Sequence, residues 1–409
     1  MIDNYELRFF NYPLIIMTTI KDGLHSIWRI AGREIRRMSI HPAYFFCMIM
    51  APLLCLFFFL TIMQDGLPKN LPIAVVDMDN TATSRSLIRQ LDAFEQTSVI
   101  IQTHSFEEAR TEMQKGNIYG IYYLPKDFQK EAGSGKQPKI SFYTNGSFLI
   151  ASSLLFRDMK TASVLAGGAV GLQTGLAKGY TEEQIQAQLQ PIVLDTHAIG
   201  NPWLNYSIYL SNSLLPGILQ LLILIITVHS IGTEIKYRTS REWLNEGNNS
   251  ITISVLGKLL PHTVIFIAIG LFTCVVLHFN GVFPLNSGWM PMITAIVLLV
   301  LASQAYGVFM IGVLPTVRLG LSFACLTGML AFSLCGLSYP VSDMYPSLNA
   351  WSYLYPLRHY LLIFIDQSLN GRDLIYSWGE YIWLLGFWVL PFFIQKNLKN
   401  AMLHFHYIP

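Results

Sequence analysis

The chain reads as a polytopic α-helical membrane protein: six transmembrane helices, with an α/β domain inserted between the first and the second. Three features lead there. Ala43–Met63 is apolar almost throughout, and a spanning helix needs roughly 20 such residues. The stretch from Gln64 to about Ser207 is polar and soluble in character, and apolar segments dominate after it. Hydrophobic residues make up 52% of the chain and charged residues only 13%, about half the charged share usual in soluble domains. The net charge of +2 provides no global field to draw nucleic acid or an acidic substrate. Such a chain moves, anchors or senses something at a membrane.

Residues 1–42 precede the first span. Within them Leu24 to Ser39 forms an amphipathic helical pattern, with Arg29, Arg33, Arg36 and Arg37 on one face and Trp28, Ala31, Ile35 and Met38 near another. Pro42 separates it from the first span. A basic amphipathic helix here is expected to lie in the membrane interface, a reading compatible with a plain positive anchor. Phe9 to Ile20 is short, is broken by Asn11 and Pro13, and has no small-residue cleavage site after it, so no cleavable signal peptide is expected.

The insertion, residues 64–207, alternates strands and helices. Leu71–Val76, Val99–Gln102, Tyr119–Leu124 and Lys139–Tyr143 read as strands. Thr83–Phe94, Ser105–Lys115, Phe148–Gly179 and Thr181–Gln190 read as helices. Ser105 with Glu108, and Thr181 with Gln184, have the spacing of capping boxes. The remaining spans are expected at Ile208–Ile231, Leu259–Phe279, Pro291–Leu314, Leu319–Tyr339 and Tyr376–Ile394, the last followed by a tail, residues 395–409.

Lys and Arg concentrate on the cytoplasmic side of short loops. Arg29, Arg33, Arg36 and Arg37 precede the first span. Lys236, Arg238, Arg241 and Lys258 lie between the second and third, Arg318 follows the fourth, and Lys396 and Lys399 follow the sixth. The loop Asn280–Met290 has neither residue. Both termini and the loop 232–258 are therefore expected in the cytoplasm, and the insertion outside it. The spans hold few ionisable groups: His229 and His262 near their ends, and Gln304 in mid-span. The buried acids and lysines typical of ion-coupled carriers are not expected. In the fifth span Gly320, Ala324 and Gly328 recur every four residues and suit close helix packing, within the chain or between subunits.

The five cysteines all fall in apolar spans and contain no Cys-x-x-Cys pair, so neither a disulfide framework nor a zinc site is indicated. Asp77-Met78-Asp79-Asn80-Thr81 has the form of a phosphatase nucleophile loop, but no paired downstream acids accompany it. Helix capping by Asp79 or Thr81 is the favoured reading. Gly133-Ser134-Gly135-Lys136 lacks the first glycine of a phosphate loop and has Gln137 after the lysine, so it reads as a turn. His404 and His406 read as tail residues. No catalytic, cofactor or metal site is assigned.

The order of segments resembles the permease subunit of ABC-2-type exporters with a large insertion between the first two spans. The carrying strings are Ile73-Ala74-Val75-Val76-Asp77, Ser84-Arg85-Ser86-Leu87, Phe106-Glu107-Glu108-Ala109, Leu124-Pro125-Lys126-Asp127-Phe128, Glu234 to Glu242, and Trp351 to Arg358. The resemblance implies a non-catalytic subunit in the inner (cytoplasmic) membrane. It also implies a second permease subunit, identical or paralogous, and a separate ABC ATPase subunit, since the cytoplasmic pieces are too short to form a nucleotide-binding domain. Contact with membrane lipid is implied, and a periplasmic adaptor is compatible. The cargo implied is an apolar or amphiphilic compound such as a drug or lipid. Glu234 matches the family's glutamate, while Arg238-Thr239-Ser240 stands where Gly-Thr is usual. Glu234, Arg238, Arg241 and Glu242, at three- and four-residue spacings, are expected to share one helical face and to contact the ATPase. Pro340, Pro346 and Pro356 suit a re-entrant segment before the last span. The competing reading is a membrane sensor or scaffold whose inserted domain binds a ligand.

Overall fold

A computed structural model describes residues 3–404 apart from 135, 193–194, 196, 198–199, 202–204 and 281–282, with side chains for residues 22–279 and 283–404 among these. His406 and Gly135 fall outside the described residues. The chain divides into two compact units, residues 65–197 and the remainder.

The larger unit is a helix bundle with six helices long and apolar enough to cross a membrane. Helix α1 (Asp3–Ile40) precedes them. The first span, α2 (Pro42–Ile62), widens to a π turn at Phe46–Met50. The cause lies just beyond: Pro52 has no N–H to give and its ring crowds the carbonyl one turn back. The bundle centre is built by α8 (Tyr206–Lys236) and α11 (Trp289–Val313), the most buried of the six. Around them stand α10 (Ile251–Asn280), α12 (Val317–Leu334) and α15 (Leu374–His404).

Four of these helices depart from the expected boundaries. Helices α8 and α10 extend beyond their apolar spans at the end rich in Lys and Arg, called here the basic end. Helix α12 stops at Leu334, short of Tyr339, because Gly336 takes φ +100, a left-handed conformation open chiefly to glycine. Helix α15 continues to His404, well past Ile394, with one 3₁₀ turn at Phe387–Val389. Between α12 and α15 the chain folds back through two short helices, α13 (Pro346–Ser352) and α14 (Pro356–Ile363), each with proline in its first turn where no donor is needed. The Asn286 and Ser287 amides donate to the Ser368 and Gln367 carbonyls (3.2 and 3.1 Å) and pin this segment.

The smaller unit holds a four-stranded sheet in the order β2-β1-β3-β4: β1 (Leu71–Asp77), β2 (Thr97–Thr103), β3 (Gly120–Leu124) and β4 (Ser141–Thr144). Strand β1 is parallel to β2 and β3, and β4 is antiparallel to β3. Its helices are α3 (Ala82–Asp92), α4 (Phe106–Gln114), α5 (Phe128–Gly133), α6 (Leu149–Ala177) and α7 (Glu182–Leu189). Side chains of β1 alternate between two cores, as the strand period requires. Ile73 and Val75 pack with Leu87, Leu91 and Leu155 on one face; Ala74 and Val76 pack with Ala109 and Ile121 on the other.

The capping chemistry is mostly as the spacing indicates. Thr81 caps α3, with Ser84 reciprocating, and Thr181 and Gln184 complete a box on α7. On α4 only half the box forms: Ser105 accepts from the Glu108 amide, while the Glu108 carboxylate turns to the Thr103 hydroxyl. Asp77 is occupied by the Ser84 hydroxyl and the amides of Asp79 and Asn80. Asp79 accepts from Thr81 and from the Gln129 amide. Both acids of the Asp-x-Asp-x-Thr string thus hold a strand end and a helix start.

A buried charge cluster at the basic end

Helix α1 packs along α10, and Gly257 allows it. A Cβ there would stand 3.0 Å from the Ile27 carbonyl oxygen and 2.9 Å from Ile30 Cβ. The inward face of α1 presents Ile30, Ala31 and Glu34, all buried. Leu24, Trp28 and Ile35 form a separate exposed apolar stripe. The apolar set read from the sequence therefore splits: Ala31 faces the bundle, while Trp28 and Ile35 face outward.

Glu34 is only 2% exposed and meets Lys258 of α10, whose Nζ lies 2.6 Å from Glu34 Oε2 and 2.9 Å from Glu234 Oε1. Lys258 also stands 5.1 Å over the Trp243 ring. Glu234 is fully buried and receives a forked contact from Arg33 Nη2 (2.9 Å to each oxygen), Arg37 Nη1 (2.5 Å) and the Thr239 hydroxyl. Arg33 Nη1 reaches Glu246 (3.3 Å), and Arg29 donates to the Glu246 carbonyl (2.6 Å). Ser230 donates to Glu34 Oε1 (3.2 Å). His262 Nε2 lies equally close to that oxygen but makes no well-aligned hydrogen bond. Three acids, Glu34, Glu234 and Glu246, thus interlock with three bases, Arg33, Arg37 and Lys258. A buried charge survives only when paired in this way. Burial opposes the charged form of Glu34, and the adjoining His262 and Lys258 outweigh it, holding its carboxyl at about 2.

The cluster joins α1 to the end of α8 and the start of α10, so none of the three can shift without breaking ion pairs. The short helix α9 (Ser240–Glu246) is mounted beside it. Trp243 donates to the Ser254 carbonyl (3.1 Å), and Ser240 to the Met402 carbonyl of α15 (2.6 Å).

The four residues expected on one helical face do not share one. Helix α8 ends at Lys236. Arg238 takes φ +62, and the amides of Arg238 and Thr239 bond back to the carbonyls of Ile235 (3.3 Å) and Glu234 (3.1 Å). This is the Schellman pattern, whose left-handed residue is usually glycine. The i,i+4 spacing across residues 234–242 is interrupted by this turn. Glu234 points into the cluster, whereas Arg238, Arg241 and Glu242 are exposed on and before α9. Arg241 donates to the Leu403 carbonyl (2.9 Å). A cavity of about 360 Å³ lies between Arg238, Arg241 and residues 401–404. Gly320, Ala324 and Gly328 lie on the face of α12 packed against α8: Cβ atoms at Gly320 and Gly328 would meet Val228 and Leu221 at 2.9 and 2.4 Å.

Glu34 and Lys258 were not legible as a pair. Buried acids and lysines do occur, contrary to expectation, but at the span ends. The available signal was Glu34 itself, one acid on the same helical face as Ile30 and Ala31.

These features define a multi-pass helical membrane protein with one inserted α/β unit. The family model described as ABC-2 family transporter protein matches residues 42–394, and the chain belongs to that family. Such permeases are transmembrane components, not themselves catalytic. The chain is similar to the linearmycin resistance permease protein LnrN of Bacillus subtilis (strain 168), 31% identical over 119 residues. That match covers 29% of this chain and 30% of the relative, well short of two thirds of its length.

Proposed function

We propose that the chain is the permease subunit of an ATP-driven exporter that moves an apolar or amphiphilic compound outward across the cytoplasmic membrane, with ATP hydrolysis on a separate ABC ATPase subunit. Family membership supports a permease, and the resistance-permease relative favours a drug-like cargo. The observation that carries the coupling is the mounting of α9. Arg238 just before it and Arg241 and Glu242 on it are exposed beside the charge cluster that locks α1, α8 and α10 together, so a push on α9 is delivered to three helices at once. In this reading both termini and α9 are cytoplasmic, in keeping with the Lys and Arg distribution. The 65–197 unit is extracytoplasmic, and a second permease copy or paralogue completes the transporter. The apolar stripe Leu24, Trp28 and Ile35 gives α1 an interfacial seat in lipid.

The test is affinity purification of the full chain from its own membranes, with detection of a co-purifying P-loop ATPase. The variant Arg238→Glu/Arg241→Glu should insert and fold normally, because exposed charges contribute roughly 0–1 kcal/mol to folding. It should lose ATPase copurification and export, because like-charge contacts at an interface cost several kcal/mol. Wild-type coupling in this variant sinks the assignment of α9. A wild-type chain that captures no ATPase and confers no export supports the sensor or scaffold reading instead.

A further inference from the structure

Helix α6 of the smaller unit carries three glycines on one face, and the fold accounts for only two of them. A Cβ at Gly171 would stand 2.7 Å from the Leu189 side chain, and one at Gly175 would stand 2.6 Å from Ile185. Both glycines let α7 approach. Gly167, one turn earlier, has no described atom within 4 Å of its Cβ position. A glycine inside a helix costs about 1 kcal/mol relative to alanine, and at Gly167 no close approach among the described residues offsets that cost.

The space beside Gly167 is an open groove of about 660 Å³, bounded by α5, the strand lead-in at Lys136–Ile140, α6 and α7. That volume lies in the range of small-molecule sites. The α6 wall runs from Ser163 to Lys178, about 22 Å at the helical rise, so the groove is long as well as open. Phe128, Ile140, Val170 and Ile185 make its lining apolar. Its charge is of one sign. Lys136, before β4, and Lys178, at the end of α6, both line the groove, and no described acid does. Neither ammonium is paired with an acid among the described residues. A long apolar groove with two free cations complements an apolar chain that carries a negative head, and it repels a positive one.

We infer that this groove binds a single-chain amphiphile with a carboxylate head. The apolar chain lies along α6 in the space that Gly167 leaves open, and the carboxylate is held in the field of Lys136 and Lys178. The inference rests on the fold of the 65–197 unit alone. It stands whether or not an ATPase partner is found, and its failure leaves the permease reading untouched.

The full-length protein in phosphatidylcholine nanodiscs is irradiated with a diazirine analogue of palmitic acid, and labelled peptides are mapped by mass spectrometry. The label should fall on α6 between Ser163 and Lys178. Palmitic acid should displace it, and palmitic acid methyl ester should not. Half-saturation should rise about tenfold in Lys136→Gln/Lys178→Gln, as two exposed ion pairs are lost together. Gly167→Leu fills the groove and should lose the label. It should unfold no lower than the wild type, because the Cβ position is open and leucine is the better helix former. A wild type without label on α6 overturns the site, whatever the variants do. Equal labelling of Gly167→Leu overturns it as well. Equal displacement by the ester, or unchanged half-saturation in the lysine double variant, overturns the acidic head. Phosphatidylglycerol in the nanodisc that suppresses the label as fully as palmitic acid assigns the groove to a membrane lipid and overturns the single-chain ligand. A wild-type α6 that cross-links to a second protein chain in place of the probe assigns the groove to a subunit contact and overturns it equally.

Discussion

Glu34 illustrates how one residue decides the character of the basic end. With Lys258, Arg33, Arg37 and Glu234 around it, every charge is compensated, and removal of one member leaves another stranded. Breaking a buried pair from one side costs about 3–5 kcal/mol, whereas replacing both partners with apolar groups is often close to neutral. Glu34→Gln and Lys258→Met should therefore each lower the unfolding temperature sharply. The double variant should be far more stable than the sum of the two losses, as a double-mutant cycle in detergent will read. Additive losses would show that the two residues do not act as a pair. The same carboxylate predicts an acid limb. Its folded value of about 2 lies below the ordinary 4.5, so its stabilisation is complete above about pH 4.5 and is lost as the pH falls toward 2. Unfolding curves of wild type and Glu34→Gln should converge over that window; parallel curves would contradict it. Sequence reasoning placed the arginines of α1 on one face but passed over Glu34, because charge counting sees four cations and one anion, not which anion turns inward. Lys258 was counted as a marker of orientation, since nothing local distinguishes a lysine near a loop from one buried between helices.

The elements were legible where local chemistry and tertiary packing agree. Strands β1 to β4 and helices α3, α4, α6 and α7 fall close to the segments read from alternation and capping, and the six long apolar helices fall on the expected spans. They were not legible where one residue adopts an unfavourable conformation. The charges from Glu234 to Glu242 look like a continuous helix, yet the chain breaks at Arg238, whose left-handed conformation closes α8 through the bonds of the Arg238 and Thr239 amides to the Ile235 and Glu234 carbonyls. A side chain in that conformation costs roughly 1–2 kcal/mol. Arg238→Gly should therefore raise the unfolding temperature while removing a charge from the exposed surface beside α9. If thermal stability rises and ATPase capture falls, the arginine is retained for its side chain; a drop in stability would mean that the guanidinium itself holds the turn. Gly257 supplies the complementary case, a close approach of two backbones. Gly257→Val places methyl groups against the Ile27 carbonyl and Ile30 Cβ, and neither can yield without moving α1. Overpacking of this kind costs typically 1–3 kcal/mol, and it draws Glu34 away from Lys258. Limited proteolysis should then cut between α1 and α2 in the variant and spare the wild type; equal resistance would show that α1 is held without this contact.

At the scale of the whole molecule the bundle makes a parity argument. Six spanning helices return the chain to the side on which it began, and each connecting segment lies on the side opposite its neighbour. Helix α1 does not add a seventh crossing. Arg29, Arg33, Arg36 and Arg37 lie within two and a half turns of one another, and a charge at the bilayer centre is costly by any scale. The segment between α2 and α8 must therefore face one compartment, and the segment between α8 and α10 the other. The orientation proposed above puts the second in the cytoplasm, on the strength of the positively charged short segments, and the lysines and arginines of the long insertion do not weigh against that proposal, because long translocated domains escape the rule. Single cysteines test this directly once Cys47, Cys55, Cys274, Cys325 and Cys335 have been replaced; Cys274 and Cys335 are buried and call for alanine or serine. Lys136 and Asn245 are both exposed, and Asn245 lies inside α9, where cysteine introduces no backbone strain. In intact cells a membrane-impermeant maleimide should label Lys136→Cys at once and Asn245→Cys only after lysis. Labelling of both from outside, or of neither before lysis, would break the alternation. It would remove α9 from the compartment that holds ATP, and with it the coupling role proposed for Arg238, Arg241 and Glu242.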